Sequence, residues 1–115
     1  MIRGDIVLVD LPRPIVEAGH EQFGNRPAVV IQENDSIVSL STVVLIPITG
    51  KLAASRFSGS FLVKPTRVNG LHEQSIVLTQ QIVAIDKHRI GRRIGKLCPD
   101  DLATLENNLR RLLGL

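Results

Sequence analysis

The sequence has neither tryptophan nor tyrosine, only three phenylalanines and a single cysteine. With so few aromatics, a core must be built from Val, Ile and Leu. Any surface for stacking bases is confined to Phe23, Phe57, Phe61, the histidines and the arginines. The lone Cys98 excludes an intramolecular disulfide and a cysteine-built metal site, and it fits a reducing cytoplasm. His20, His72 and His88 lie far apart and lack the paired spacing of zinc ligands. There is no phosphate-binding glycine motif, nucleophile elbow or dinucleotide fingerprint. Met1-Ile2-Arg3-Gly4-Asp5 lacks the apolar stretch of a signal peptide. The longest apolar run, residues 42–48, is far too short to span a bilayer. The expectation is a soluble, cytoplasmic protein with no cofactor, no metal and no membrane partner.

What is present is a chain of 115 residues, 43% apolar, with a net charge of +3. That length suits one domain, residues 1–115, with a single modest core. A basic balance favours polyanionic partners, but a charge this small does not by itself identify nucleic acid. Turn signals at short intervals separate runs rich in Val and Ile, which predicts a β-rich, antiparallel domain. Strands are expected at residues 6–11, 27–32, 42–48, 60–64, 75–85 and 91–97. Residues 12–25 form a long loop, a feature often tied to function. Residues 33–36 read as a turn, and residues 86–89 as one helical turn. Near the end, Leu102, Leu105, Leu109 and Leu112 recur at helical spacing and line one face of a helix. Pro99 suits its first position, Asp100 and Asp101 its positive end, Arg110 and Arg111 its negative end, and Gly114 its stop. Cys98, just ahead of that helix, reads as a small residue at a helix entry rather than an activated thiol.

Polar residues at strand ends hold the best chemical potential. Arg26 stands where the long loop enters a strand, Thr49 where the most apolar strand finishes, and Gln80 and Gln81 interrupt an otherwise apolar run. Taken singly, each also fits an ordinary structural role: a solvated arginine, a turn former, a ladder residue facing water.

Taken together they sit within segments that resemble the MazF/PemK family of toxins. The first is Arg3-Gly4-Asp5-Ile6-Val7-Leu8-Val9-Asp10-Leu11. The second is Gly19-His20-Glu21-Gln22-Phe23-Gly24-Asn25-Arg26-Pro27-Ala28-Val29-Val30, and the third Val44-Leu45-Ile46-Pro47-Ile48-Thr49-Gly50-Lys51. The fourth runs from Gly70-Leu71 through Ser75-Ile76-Val77 and Gln80-Gln81-Ile82 to Ile85-Asp86-Lys87 and Arg89-Ile90-Gly91. The resemblance spans nearly the whole chain in order. It implies an SH3-like, partly open β-barrel with a C-terminal helix, a two-fold homodimer, and sequence-selective cleavage of single-stranded RNA, as in mRNA interferases. It further implies an antitoxin partner, whose flexible acidic segment would suit this basic chain. The family's catalytic Arg and Thr match Arg26 and Thr49, and its His-Glu-Gln loop segment matches His20, Glu21 and Gln22. A Gln at the RNA-facing edge matches Gln81. There are two departures from the family: Leu78 and Gln80 stand where some members use an Arg and an Asp, so this chain cannot use that pair, and Val83 stands where many hold an Arg, which alters the base-reading pocket and with it the cleavage sequence.

The chemistry implied needs no metal, because RNA carries its own nucleophile. The 2′-hydroxyl attacks the adjacent phosphate and expels the next 5′-oxygen. Arg26 would supply charge and donors to the phosphate, Thr49 a hydrogen bond to a phosphate oxygen, and His20 or Glu21 the proton transfer. Phe23 is the best stacking platform. Lys51 and Arg56 are candidates for backbone phosphates, with Gln22 and Gln81 as further substrate contacts. Two other functions share the barrel: a toxin that binds DNA gyrase without catalysis, and an SH3-like interaction module. The pairing of Arg26 with Thr49 and the lack of an aromatic C-terminal end weigh against the gyrase binder.

Overall fold

The first strand, β1 (Asp5–Leu11), sends Ile6 to one side and Val7, Val9 and Leu11 to the other. That alternation is the period of a strand with apolar neighbours on both faces. The structure is a computed structural model and describes residues 1–12 and 24–115. Its further strands are β2 (Gly24–Val30), β3 (Thr42–Thr49), β4 (Phe61–Val63), β5 (Ser75–Val77), β6 (Val83–Asp86) and β7 (Ile90–Lys96). Among the described residues they form one antiparallel, seven-stranded sheet in the order β4-β5-β3-β2-β1-β7, with β6 also on β3. The sheet does not close on itself, so the architecture is the partly open barrel expected, mainly β with a C-terminal helix.

Two apolar layers flank the central strands. Ile6, Val29, Ile46, Ile48 and Val77 pack with Leu105 and Leu109 of helix α2 (Pro99–Leu113). On the other side Val7, Val9, Ala28, Val30, Val43, Leu45 and Ile85 form the second layer. Each fully buried leucine or isoleucine here contributes about 1.5–3 kcal/mol. Helix α2 begins and ends where its sequence signals stand. Cys98 is the N-cap and its Sγ accepts from Asp101 N at 3.4 Å, while Gly114 closes the helix with φ +72°. Leu112, expected on the packed face, is exposed in the last turn. None of the helices among the described residues is long and apolar enough to cross a membrane.

Two sequence expectations need correction. The turn expected at residues 33–36 is the start of a helix, α1 (Asn34–Ser39), capped by the Glu33 carboxylate, which accepts from Asp35 N and Ser36 N. Ile37 buries the one apolar side chain that holds this helix to the second layer. The strand expected over residues 75–85 is split into β5 and β6. Both run along the same edge of β3, where Ile48 pairs with Val77 and Leu45 with Val83. Between those pairs Ile46 and Pro47 are faced by the whole of residues 78–82. The surplus leaves the ladder as a 3-10 turn, Thr79–Gln81. The break falls beside Pro47, which has no amide hydrogen to give a neighbour. It only accepts, from Leu78 N at 2.9 Å.

Candidate active site

Strands β1, β2 and β3 share one end of the sheet, where β1 finishes, β2 begins and β3 finishes. Leu11 pairs with Gly24 and Val9 with Arg26. On the other side of β2, Ala28 pairs with Pro47. Continuing that register by two residues sets Arg26 across from Thr49. Side chains alternate along a strand, so Arg26 shares the face of Ala28 and Val30, and Thr49 the face of Leu45 and Pro47. Both belong to the second layer's side, away from α2.

Arg26 is half-buried, and its Nε is shielded from solvent without a hydrogen-bond partner. Among the described residues no carboxylate pairs with it. A buried N–H left unpaired calls for a partner supplied from elsewhere. Thr49 is only 5% exposed, and its Oγ1 accepts from Lys51 N at 3.2 Å. A hydroxyl has two lone pairs and one proton, so that bond orients the group while leaving it able to donate. On one face of neighbouring strands the two offer a cation and a hydroxyl, donors of the kind an oxyanion takes.

Beside them lies a depression of about 300 Å³. Its apolar lining includes Leu11, Pro12 and Pro47 together with Ile82, Val83 and Ile85. Leu11 and Pro47 flank Arg26 diagonally in the β1 and β3 registers. Gln80 and Gln81, on the turn that breaks the ladder, supply its polar lining. Gln81, named from sequence, is thus on the same side as Arg26 and Thr49. Gln80 was not singled out as a site residue. Its Oε1 is buried without a hydrogen-bond partner, a fact that depends on the register shift and has no sequence signature.

Lys51 and Arg56 follow Thr49 on an exposed segment that includes the 3-10 turn Leu52–Arg56. The Arg56 guanidinium carbon lies 5.0 Å from the Phe57 ring centroid, a cation–π contact that orients it. His20, Glu21, Gln22 and Phe23 lie outside the described residues. The described residues on either side of them are Pro12, which lines the depression, and Gly24, two residues before Arg26. Among the described residues, no group of three His, Cys, Asp or Glu side chains is placed to hold a metal ion. At the far end of β6, the Asp86 carboxylate accepts from the backbone and ring nitrogens of His88. These bonds hold its pKa below the ordinary value.

The family model for PemK-like, MazF-like toxins of type II toxin–antitoxin systems matches residues 2–113. An endoribonuclease MazF from Staphylococcus saprophyticus is 30% identical over 115 residues, covering 100% of this chain and 92% of that protein. Among solved structures, MazF from Deinococcus radiodurans superposes with a TM-score of 0.81 at 23% identity, covering 100% of this chain and 97% of that one. A mycobacterial endoribonuclease in complex with its cognate antitoxin superposes with a TM-score of 0.75 at 19% identity, covering 100% and 96%. These two structural likenesses concern the fold.

Proposed function

This chain belongs to the PemK-like, MazF-like toxins of type II toxin–antitoxin systems and is an endoribonuclease of that family, and from that premise we propose that it cuts single-stranded RNA, selectively by sequence, through attack of the RNA's own 2′-hydroxyl. The 2′-oxygen forms a bond to phosphorus as the bond from phosphorus to the 5′-oxygen breaks. The 2′ proton passes to His20 or Glu21, and the departing 5′-oxygen takes up a proton. The products are a 5′-hydroxyl and a 2′,3′-cyclic phosphate that can open to a 3′-phosphate. No metal enters this sequence of steps.

The observation that carries the proposal is Arg26 Nε, a donor shielded from water and unpaired on the face it shares with Thr49. An entering phosphate satisfies that donor, and the charge growing on its oxygens in the transition state tightens the bond. Arg26 therefore stabilises the transition state, and Thr49 binds a phosphate oxygen. Lys51 and Arg56 hold backbone phosphates, Phe23 stacks a base, and Gln22 and Gln81 contact the substrate. In the cytoplasm the chain acts on messenger RNA as a homodimer, one domain per protomer over residues 1–115, with RNA in a groove at or near the two-fold interface. A flexible acidic segment of the cognate antitoxin occupies the same groove.

Incubating the pure protein with mixed-sequence RNA in excess EDTA tests this. Cleavage should persist, with 5′-hydroxyl ends, and a 2′-deoxy sugar at the cut site should block it there. A strict need for magnesium, or efficient cutting of the deoxy substrate, would defeat the mechanism. No cleavage at all would favour a gyrase binder or an interaction module.

A further inference from the structure

We propose that Gln80 is a specificity-determining residue, which reads the base of one nucleotide beside the cleaved bond from within the depression next to Arg26 and Thr49. This rests on the endoribonuclease function proposed above.

The depression's lining settles which part of an RNA chain it suits. Its volume of about 300 Å³ is at the small end of ligand sites, which run from roughly 300 to 1,000 Å³. Among the described residues no charged side chain lines it, so those residues give a phosphate no counter-charge within it. Leu11, Pro12, Pro47 and Ile82 offer apolar surface for the flat faces of a base, and among the described residues the two glutamines bring the side-chain polar groups. A lining that mixes apolar side chains with carboxamides suits a nucleobase, whose faces are apolar and whose edge carries donors and acceptors. The phosphate belongs next door, at Arg26 and Thr49, so the base belongs to a nucleotide adjoining the cut.

Gln80 is the polar group with something to gain. Its Oε1 is buried and unpaired, a state that a donor on an entering base would relieve. The terminal torsion of a glutamine is soft and roughly two-fold, so the amide can turn its acceptor or its donor toward the depression. A carboxamide pairs with a base edge that presents an N–H next to an acceptor, in the bidentate manner that discriminates between bases. The backbone beneath it is held firmly. Thr79, fully buried, donates its hydroxyl to Gly59 O at 2.8 Å, and Asn108 Nδ2 of α2 donates to the same carbonyl at 2.8 Å. The turn that lifts Gln80 out of the ladder is therefore tied through Gly59 to the helix behind the sheet. A base-reading group needs such preorganisation.

The test compares full-length wild type, Gln80→Leu and Gln80→Glu on an RNA pool randomised around the cut, with the 5′-hydroxyl product ends sequenced. Wild type should prefer a particular base at a position adjoining the cut. Gln80→Leu should lower that preference roughly ten- to a hundred-fold and leave preferences elsewhere unchanged. Gln80→Glu keeps acceptors and loses both donors, so the same position should shift toward bases bearing an amino group. Equal slowing at all sites, or an unaltered pattern in folded Gln80→Leu, would overturn the proposal. Should Gln80→Leu fail to fold, the Gln80→Glu pattern decides: a shift at one position supports the proposal and no shift overturns it. A wild type that leaves RNA intact would instead refute the endoribonuclease function on which it rests.

Discussion

A half-buried guanidinium with an unpaired Nε destabilises the fold until an anion reaches it, so Arg26 is the first residue at which stability and activity should part. Arg26→Ala removes an unsatisfied donor and little packing. Its melting temperature should stay within a few degrees of wild type, while cleavage falls about a hundred- to a thousand-fold, the usual loss for one preorganised donor. Thr49→Ala should slow cleavage less, because a hydroxyl binds phosphate more weakly than a charged donor. Thr49 is also buried and holds Lys51 N, so that variant should lose about 1 kcal/mol of stability as well. Thr49→Ser, which keeps the hydroxyl, should recover most of the activity. Folded Arg26→Ala protein that cuts within a few-fold of wild type would move the chemistry to His20 and Glu21. A second residue-scale expectation concerns pH. The Asp86 carboxylate is held below its ordinary pKa of 3.8, first by the His88 backbone N–H and then by the His88 side chain. A carboxylate depressed by folding adds stability above its unfolded pKa and loses it as pH falls through the folded one. The Asp86 carboxyl carbon, followed by NMR, should titrate below 3.8, and His88→Ala should move that midpoint upward. An unshifted midpoint in the wild type would remove the His88 bonds as a stabilising feature in solution.

At the scale of elements, close approach of backbones governs β7. Gly95 lies so near the turn before Gly70 that an added Cβ would come 2.3 Å from the carbonyl carbon of Asn69 and 2.4 Å from its oxygen. That turn cannot easily retreat. Asn69 Oδ1 accepts from Thr66 N and Leu71 N, and its Nδ2 donates to Lys64 O. Gly95→Ala should therefore destabilise the protein by about 1–3 kcal/mol, read as a lowered urea midpoint; an unchanged midpoint would mean that the turn yields freely. Elements with strong local signals were legible in the sequence. Helix α2 has a period, a proline start and a glycine stop, and strands β1 and β3 have runs dominated by Val, Ile and Leu. Helix α1 was missed because Glu33, Asn34, Asp35 and Ser36 serve a turn as well as a cap, and Ile37 is its single buried anchor. The break between β5 and β6 was missed because a register shift is a relation between strands, set by how 78–82 must fit beside Ile46 and Pro47. Likewise Arg26 and Thr49 could be named as strand-end polar residues, but their common face follows from the β2–β3 register. The orphaned acceptor of Gln80 lay beyond any local pattern for the same reason.

At the scale of the whole molecule, the sheet separates two jobs. One face is spent on packing α2, and the other ends in Arg26, Thr49 and a depression lined by Gln80 and Gln81, with Lys51 and Arg56 on the exposed segment that follows. A net charge of +3 is too small for long-range attraction alone to hold RNA, so affinity must come from a few placed cations. Such contacts carry a quantitative signature. Each phosphate neutralised on a single strand contributes about 0.7 to the slope of log affinity against log salt concentration. Binding is best measured on RNA carrying a 2′-deoxy sugar at the cut site, so that it is not consumed. Lys51→Ala and Arg56→Ala should each flatten the slope by about 0.7 and weaken binding alike for all sequences. Gln80→Leu should leave the slope unchanged while altering which sequences bind. A cation that only faces solvent would leave the slope as it was, so an unchanged slope for either variant would remove that residue from the RNA path. If both were removed, the backbone path would have to be sought at other exposed cations, Arg92 of β7 among them, since Arg89 and Arg93 are paired with Asp10 and Asp5.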